Sequence, residues 1–502
     1  MRVRRLSGWM AVLTVAGAVS VLAAADDPAS LVKAQLADLL YGDGRFRDAI
    51  DAYDAAYASA SGPLRVAMGR GLVKSLLRSG EFRRARTTAA ELADTAPDDA
   101  EVLALLGDTR WSAGQFAAAE QAYAAALAAD ANQARAISGM ARALDSRGRP
   151  DEALEHARRA VGLAPREPEF HHTLGFVLER QRRYPEAALA YTNYSNLLPN
   201  KDNSEMAAWA RQQVRFLKSF DDRVPLAARG DAGQKVHTVP FRLRKDKIVV
   251  TARVNGRAEM DFILDTGAEM TVVSRRVAQR YGVQPVVYTL SAGVGGVGLR
   301  GLMVGTMDRL QIGSLVIDQV PTLIKNPPLQ GLPTQEVESF SPLAMGFSVR
   351  IDYRRRLLTM ARDLPDAAAD FVLPMRLHRL ATVTGSVNGK TSVPFVIDTG
   401  GEVLSISRST ADAIAVVPPR HIGLKVYGTS GWDPDAFLLT GIHVAFDRVA
   451  LDNVAVPVLN LDAPSILLGF DLGGIVGHRF LSKYDVTIDL RRSEVRLATS
   501  AN

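Results

Sequence analysis

Asp265 and Asp398 are the residues in this chain best placed by type and spacing to do chemistry. Each opens an Asp-Thr-Gly triplet, and each triplet is entered by an apolar run, Phe262-Ile263-Leu264 in one case and Phe395-Val396-Ile397 in the other. Hydrolysing an amide without a metal or a covalent intermediate needs one group to take a proton from water and another to protonate the carbonyl oxygen. Two facing carboxyls do both when they share one proton, because like charges about 3 Å apart cannot both ionise. Taken singly, an aspartate before Thr-Gly is as well explained as a turn residue bonded to its own backbone amides. Two copies in equivalent surroundings favour the pair.

The surroundings are equivalent because this part of the chain is duplicated. Val254-Asn255-Gly256 precedes Asp265 as Val387-Asn388-Gly389 precedes Asp398, and DFILDTGAEMTVVSR aligns without gaps to PFVIDTGGEVLSISR, with 7 identical positions. Similar strands, VRID ending at Asp352 and VTID ending at Asp489, close the two copies. A repeated β unit predicts two lobes about a pseudo-two-fold axis, which sets equivalent residues face to face. Gly267 and Gly400 then allow the two loops to approach where a side chain would collide. Glycine-rich stretches after each triplet, 288–305 with Gly295 and Gly296 and 424–440 with Tyr427 and Trp432, suit hairpin lids over a cleft.

The elements that must carry these loops are short alternating runs such as Lys247–Val254, broken by glycine, as in closed or sandwiched β structure. The closing segment of the first copy is the weaker one. Pro342 to Gly346 offers two apolar residues and a glycine closer to its final aspartate than Gly477 stands to Asp489, so a short helix is expected only in the second copy.

The first half reads differently. Alanines 49, 85, 119, 153 and 187 recur at intervals of 36, 34, 34 and 34 residues, each three positions after Phe46, Phe82, Phe116, Pro150 or Tyr184. Pro97, Pro165 and Pro199 follow twelve residues after their alanines, where a second helix should stop. The period predicts five stacked helix pairs and a capping helix over 206–220.

Competing chemistry finds little support. There is no cysteine, which excludes disulfides, thiol catalysis and cysteine-bound zinc. No His-Glu-x-x-His or Gly-x-Ser-x-Gly occurs, and the Gly-x-Gly-x-x-Gly at 293–298 lacks the following helix of a dinucleotide site. His171 and His172 lie in a repeat helix and read as surface residues. No metal and no cofactor are expected. Arg2, Arg4 and Arg5, an apolar run over 9–22 and three alanines ending at 25 describe a secretory signal peptide, shorter than a membrane span. Removing those three arginines takes the formal charge from +6 to +3, with no basic stripe for nucleic acid.

Two resemblances follow. Gly107, Ala119, Tyr123 and Ala126, with Gly175, Ala187, Tyr191 and Pro199, resemble the tetratricopeptide repeat. The paired Asp-Thr-Gly loops, with Gly474-Ile475-Val476-Gly477 and HRFLSKYDVTID, resemble bacterial retropepsin-like enzymes of the pepsin and retropepsin superfamily. The resemblance implies a multidomain chain, an all-α helical solenoid followed by an all-β bilobal aspartic-protease fold. With the signal peptide at 1–25 and a linker at 224–235 read from composition, it implies repeats at 26–223 and lobes at 236–363 and 364–502. It further implies catalysis by Asp265 and Asp398, a hydrogen-bonded brace between Thr266 and Thr399, and substrate contacts by Glu269 and Glu402. The expected activity is periplasmic or secreted endopeptidase action on a peptide or protein substrate, with a protein partner on the repeat groove, and with neither nucleic acid nor a lasting membrane anchor. The alternative is a non-catalytic scaffold whose repeats and protease-like domain both bind.

Overall fold

The computed structural model describes residues 28–229, 235–291, 293–294, 300–325, 338–389, 391–414, 422–428 and 431–499. The expected signal segment therefore lies outside the described residues.

Five helix pairs form the first half: Pro28–Gly42 with Phe46–Ser59, Gly62–Arg78 with Phe82–Thr95, Ala100–Ser112 with Phe116–Ala129, Ala134–Ser146 with Pro150–Leu163, and Pro168–Arg180 with Tyr184–Leu197. Helix Glu205–Lys218 follows. The periodic alanines 49, 85, 119, 153 and 187 are fully buried. They let helices approach while an aromatic ring fills the space above a glycine; a Cβ on Gly175 would lie 2.8 Å from Tyr191. Both histidines depart from the surface reading. His171 is buried, and His172 packs against Tyr194 and Trp209.

The second half is β-rich. Among the described residues one sheet has nine strands and another thirteen. The strands before the triplets, Glu259–Leu264 and Thr391–Ile397, sit at equivalent places in the two sheets. Each is preceded by a tight Asn-Gly turn, with positive φ at Asn255 and Gly256 (49° and 68°) and at Asn388 and Gly389 (50° and 64°). This geometry matches the twist of hairpin strands and explains the residue choice. Even the turn contacts are duplicated: Arg309 N–H donates to the Asn255 side chain, and His443 N–H to that of Asn388. The two closing strands meet, with Val349 opposite Ile488 and Ile351 opposite Val486, so the lobes share one continuous sheet.

Two expectations change. Within the expected linker, Ala227–Arg229 is a strand paired with Val316–Asp318, and Leu226 beside it is buried. In the first lobe, the strand running under the Asp-Thr-Gly loop is Glu338–Phe340, not Leu343 to Gly346. Ser341 thus takes the place of Gly477, and turns over 342–346 stand where the second lobe has the short helix His478–Leu481. The first lobe is therefore not shortened under its aspartate. Glu and Ser disguised the strand; Glu338 is buried because its carboxylate accepts from the Ser274 hydroxyl at 2.7 Å.

The two halves are packed together. Trp111 and Phe116 of the third repeat join Leu468, Phe470 and Leu472 of the second lobe in one apolar cluster. The end of strand Phe371–His378 reaches three repeats: the His378 ring lies against Trp111 and Phe176 and the Arg376 guanidinium bonds the Ala143 carbonyl, all on first helices, while Arg376 also pairs at 2.5 Å with Glu120 on the second helix of the third repeat. Phe216 and Leu217 of the last helix cluster with Val287 and Val304 of the first-lobe lid strands.

Candidate active site

Each aspartate is fixed by its strand. Asp265 N–H donates to the Phe340 carbonyl and Asp398 N–H to the Val476 carbonyl, both at 3.0 Å, where the parallel strands beneath hold the loops. Past each loop, Ser274 and Ser407 cap short helices through bonds to the amides of Val277 and Thr410.

The threonines lock the loops to each other. Thr266 N–H donates to Thr399 Oγ1 at 3.1 Å, and Thr399 N–H to Thr266 Oγ1 at 3.0 Å. Each hydroxyl then donates to the opposite strand, Thr266 to the Ile397 carbonyl at 2.7 Å and Thr399 to the Leu264 carbonyl at 2.8 Å. Both side chains are buried, so four bonds are protected from water.

The glycines permit the closeness this requires. A Cβ on Gly267 would lie 2.5 Å from the Asp398 carboxyl carbon, and one on Gly400 would lie 2.6 Å from Asp265 Oδ1. The carboxyls thus face each other. Burial and then the charge of Asp398 push Asp265 up to about 7. Lys325, the Gly267 amide and Lys247 oppose that rise. Burial also raises Asp398, against the amides of Gly401 and Gly400, which point at its carboxylate. Burial thus drives both carboxyls toward the protonated state, while the amides of Gly400 and Gly401 favour the charged form of Asp398.

The remaining candidates divide. Glu269 is bound by the Arg379 guanidinium at 2.7 and 2.8 Å, and that arginine also donates to the Leu467 carbonyl. Glu402 is exposed, and its carbonyl accepts from the Arg479 amide. Gly295 and Gly296 lie outside the described residues. Val294, at the first lid, shares an apolar cluster with Leu424, Val426 and Ile475. Its carbonyl lies where a Cβ of Gly428 would stand, so the two lids touch. The backbones of Tyr427 and Trp432 stand opposite each other in the strand pair of the second lid; the Lys425 ammonium sits 5.6 Å from the centre of the Trp432 ring. Reading the sequence missed Lys247, Lys325 and Arg379. A lone basic residue in a strand or turn carries no motif; Lys247 and Arg379 reach across the lobes, and Lys325 ends a strand paired with Thr271–Ser274 in the lobe of Asp265 itself.

Comparison with known families agrees with this geometry. Residues 250–332 match the gag-polyprotein putative aspartyl protease family, and residues 35–73, 70–134 and 110–175 match tetratricopeptide repeat families. No curated protein matches the chain. Among solved structures, the thermophilic TPR protein TTC0263 of Thermus thermophilus is 17% identical over 37% of this chain and 98% of its own, with a TM-score of 0.32. MamA (41-end) from Desulfovibrio magneticus RS-1 is 20% identical over 36% of this chain and 100% of its own, with a TM-score of 0.26. The chain thus joins N-terminal tetratricopeptide repeats to a retropepsin-like aspartyl-protease domain.

Proposed function

We propose that the chain is an exported aspartic endopeptidase that hydrolyses peptide bonds with a water held between Asp265 and Asp398. The observation that supports this most is the reciprocal threonine brace, which sets each carboxyl against the opposing glycine with one proton to share. In the forward step the Asp398 carboxylate takes a proton from water as its oxygen bonds to the peptide carbon. The carbonyl electron pair moves to oxygen, which receives the Asp265 proton. In the second step the amide nitrogen takes the proton from Asp398 and the C–N bond breaks. A hydroxyl of the tetrahedral carbon returns its proton to Asp265, which restores the starting state.

The touching lids require the substrate to be an extended segment, admitted when the lids part and closed off from water afterwards. Tetratricopeptide repeats generally mediate protein–protein contacts. In this chain the first helices of the third to fifth repeats are covered by the second lobe, so the proposed role of the array is to hold the lobes and to offer its first two repeats to a substrate or partner protein. The basic start, apolar run and Ala23-Ala24-Ala25 support export and cleavage near residue 25. Digestion of a peptide library tests the activity; N-terminal sequencing of the protein recovered outside the cytoplasm tests the export.

A further inference from the structure

Lys247 stands at the foot of a first-lobe hairpin made by strands Arg242–Arg244 and Lys247–Val254. The two residues of its turn, Lys245 and Asp246, have positive φ (49° and 55°), the tight form that fixes the direction of the next residue. From there the Lys247 ammonium crosses to the second lobe and donates to the carbonyl of Gly400, inside the second catalytic loop. Its turn neighbour Asp246 lies 3.6 Å from Arg479, on the short helix that follows Gly477. The first lobe thus clips both the loop of Asp398 and the segment supporting it.

The second lobe has no lysine at the equivalent position, and Arg379, one residue before it, pairs with Glu269 of the first lobe. Lys247 precedes Asp265 by as many residues as Leu380 precedes Asp398, and Leu380 packs in the apolar cluster shared with the repeats. We propose that Lys247 is a positioning residue for the dyad, holding the opposite loop through the Gly400 carbonyl and placing one positive charge beside both carboxyls from one side only. This rests on Asp265 and Asp398 being the catalytic pair.

The charges around the pair are few. Lys325, at the end of strand Leu315–Lys325, acts on Asp265, while Lys247 acts on both aspartates. Glu338 lies near Lys325; His478 and Asp246 lie near Lys247, and burial lowers the pKa of His478. Lys247 and Lys325 thus oppose the burial that drives both carboxyls toward the protonated state. Without Lys247 the pair would hold its last proton to higher pH, and the Gly400 carbonyl would lose its donor.

The test is a titration that needs no turnover. The full chain, with ¹³C-labelled aspartate carboxyls, is compared with Lys247→Met, Lys247→Gln and Lys247→Arg, using Asp265→Asn to assign the signals. The neutral variants are expected to raise the upper apparent pKa of the pair by about one unit, the low end for an opposite charge at close range, and the arginine variant to restore it. Two neutral variants guard against one that fails to fold. An upper value unchanged in a folded neutral variant overturns the proposal, as does an arginine variant that behaves like the neutral ones. Peptide cleavage by the same samples is read separately: an inactive wild type refutes the catalytic reading, while the titration still decides what Lys247 does.

Discussion

Thr266 and Thr399 exchange hydrogen bonds across the pseudo-two-fold axis, each accepting from the other's amide and donating to a carbonyl of the other's strand. The brace forces the two Asp-Thr-Gly loops to move as one body, so the carboxyl separation is set by buried backbone bonds and not by flexible side chains. Replacing Thr399 with Val keeps the shape but strands the Thr266 amide and the Leu264 carbonyl. The variant should lose about 2–4 kcal/mol of stability and most of its activity, measured by urea unfolding and peptide cleavage; an unchanged midpoint would show that the bonds are not formed in solution.

Gly400→Ala should inactivate with a smaller effect on folding. Its Cβ would meet Asp265 Oδ1 at 2.6 Å, so one carboxyl must move away from the other. A displacement of about 1 Å at a reacting centre costs on the order of 100-fold in rate. The cleavage rate checks this directly, and a variant within about threefold of wild type would show that the loops are farther apart.

The pH profile follows from the shared proton. Cleavage should fall as pH rises through about 7, where Asp265 loses the proton the mechanism needs. Stability carries the same signature. Because the folded-state pKa is raised, the proton's contribution is full below the ordinary value of 3.8 and is lost as pH rises through about 7. Unfolding measured from pH 3 to 8 should therefore show Asp265→Asn gaining on wild type across that window. Parallel pH curves for the two proteins would contradict the raised pKa.

The repeats should not unfold apart from the β half. Trp111 is buried where its ring meets His378 of the second lobe. Trp111→Ala should cost about 3–5 kcal/mol, as for other large buried aromatics. In calorimetry the wild type should give one cooperative transition and the variant an earlier or split one. Two independent transitions in wild type would show that the interface contributes little.

Much of this fold was legible because its signals are local. The 34-residue alanine period marks helix crossings, and each Asn-Gly marks a hairpin whose twist those residues favour. The site's centre was legible for a different reason: duplication placed Asp265 and Asp398 in the same local setting, and symmetry did the rest. What was hidden depends on contacts between distant parts. Glu338–Phe340 did not read as a core strand, because its glutamate is buried only through Ser274. The three residues Ala227–Arg229 are a strand solely because Val316–Asp318 offers an edge. Arg379 binds Glu269 across the lobes, and no spacing in the chain records that pairing.

The most direct test of the account is digestion of a peptide library by the chain lacking residues 1–25, beside Asp265→Asn and Asp398→Asn, from pH 3 to 8. The account predicts cleavage by wild type that fades above about pH 7, and its loss in both variants at every pH. Cleavage by neither wild type nor variants at high enzyme concentration would contradict it, and so would an Asp398→Asn variant that still cuts.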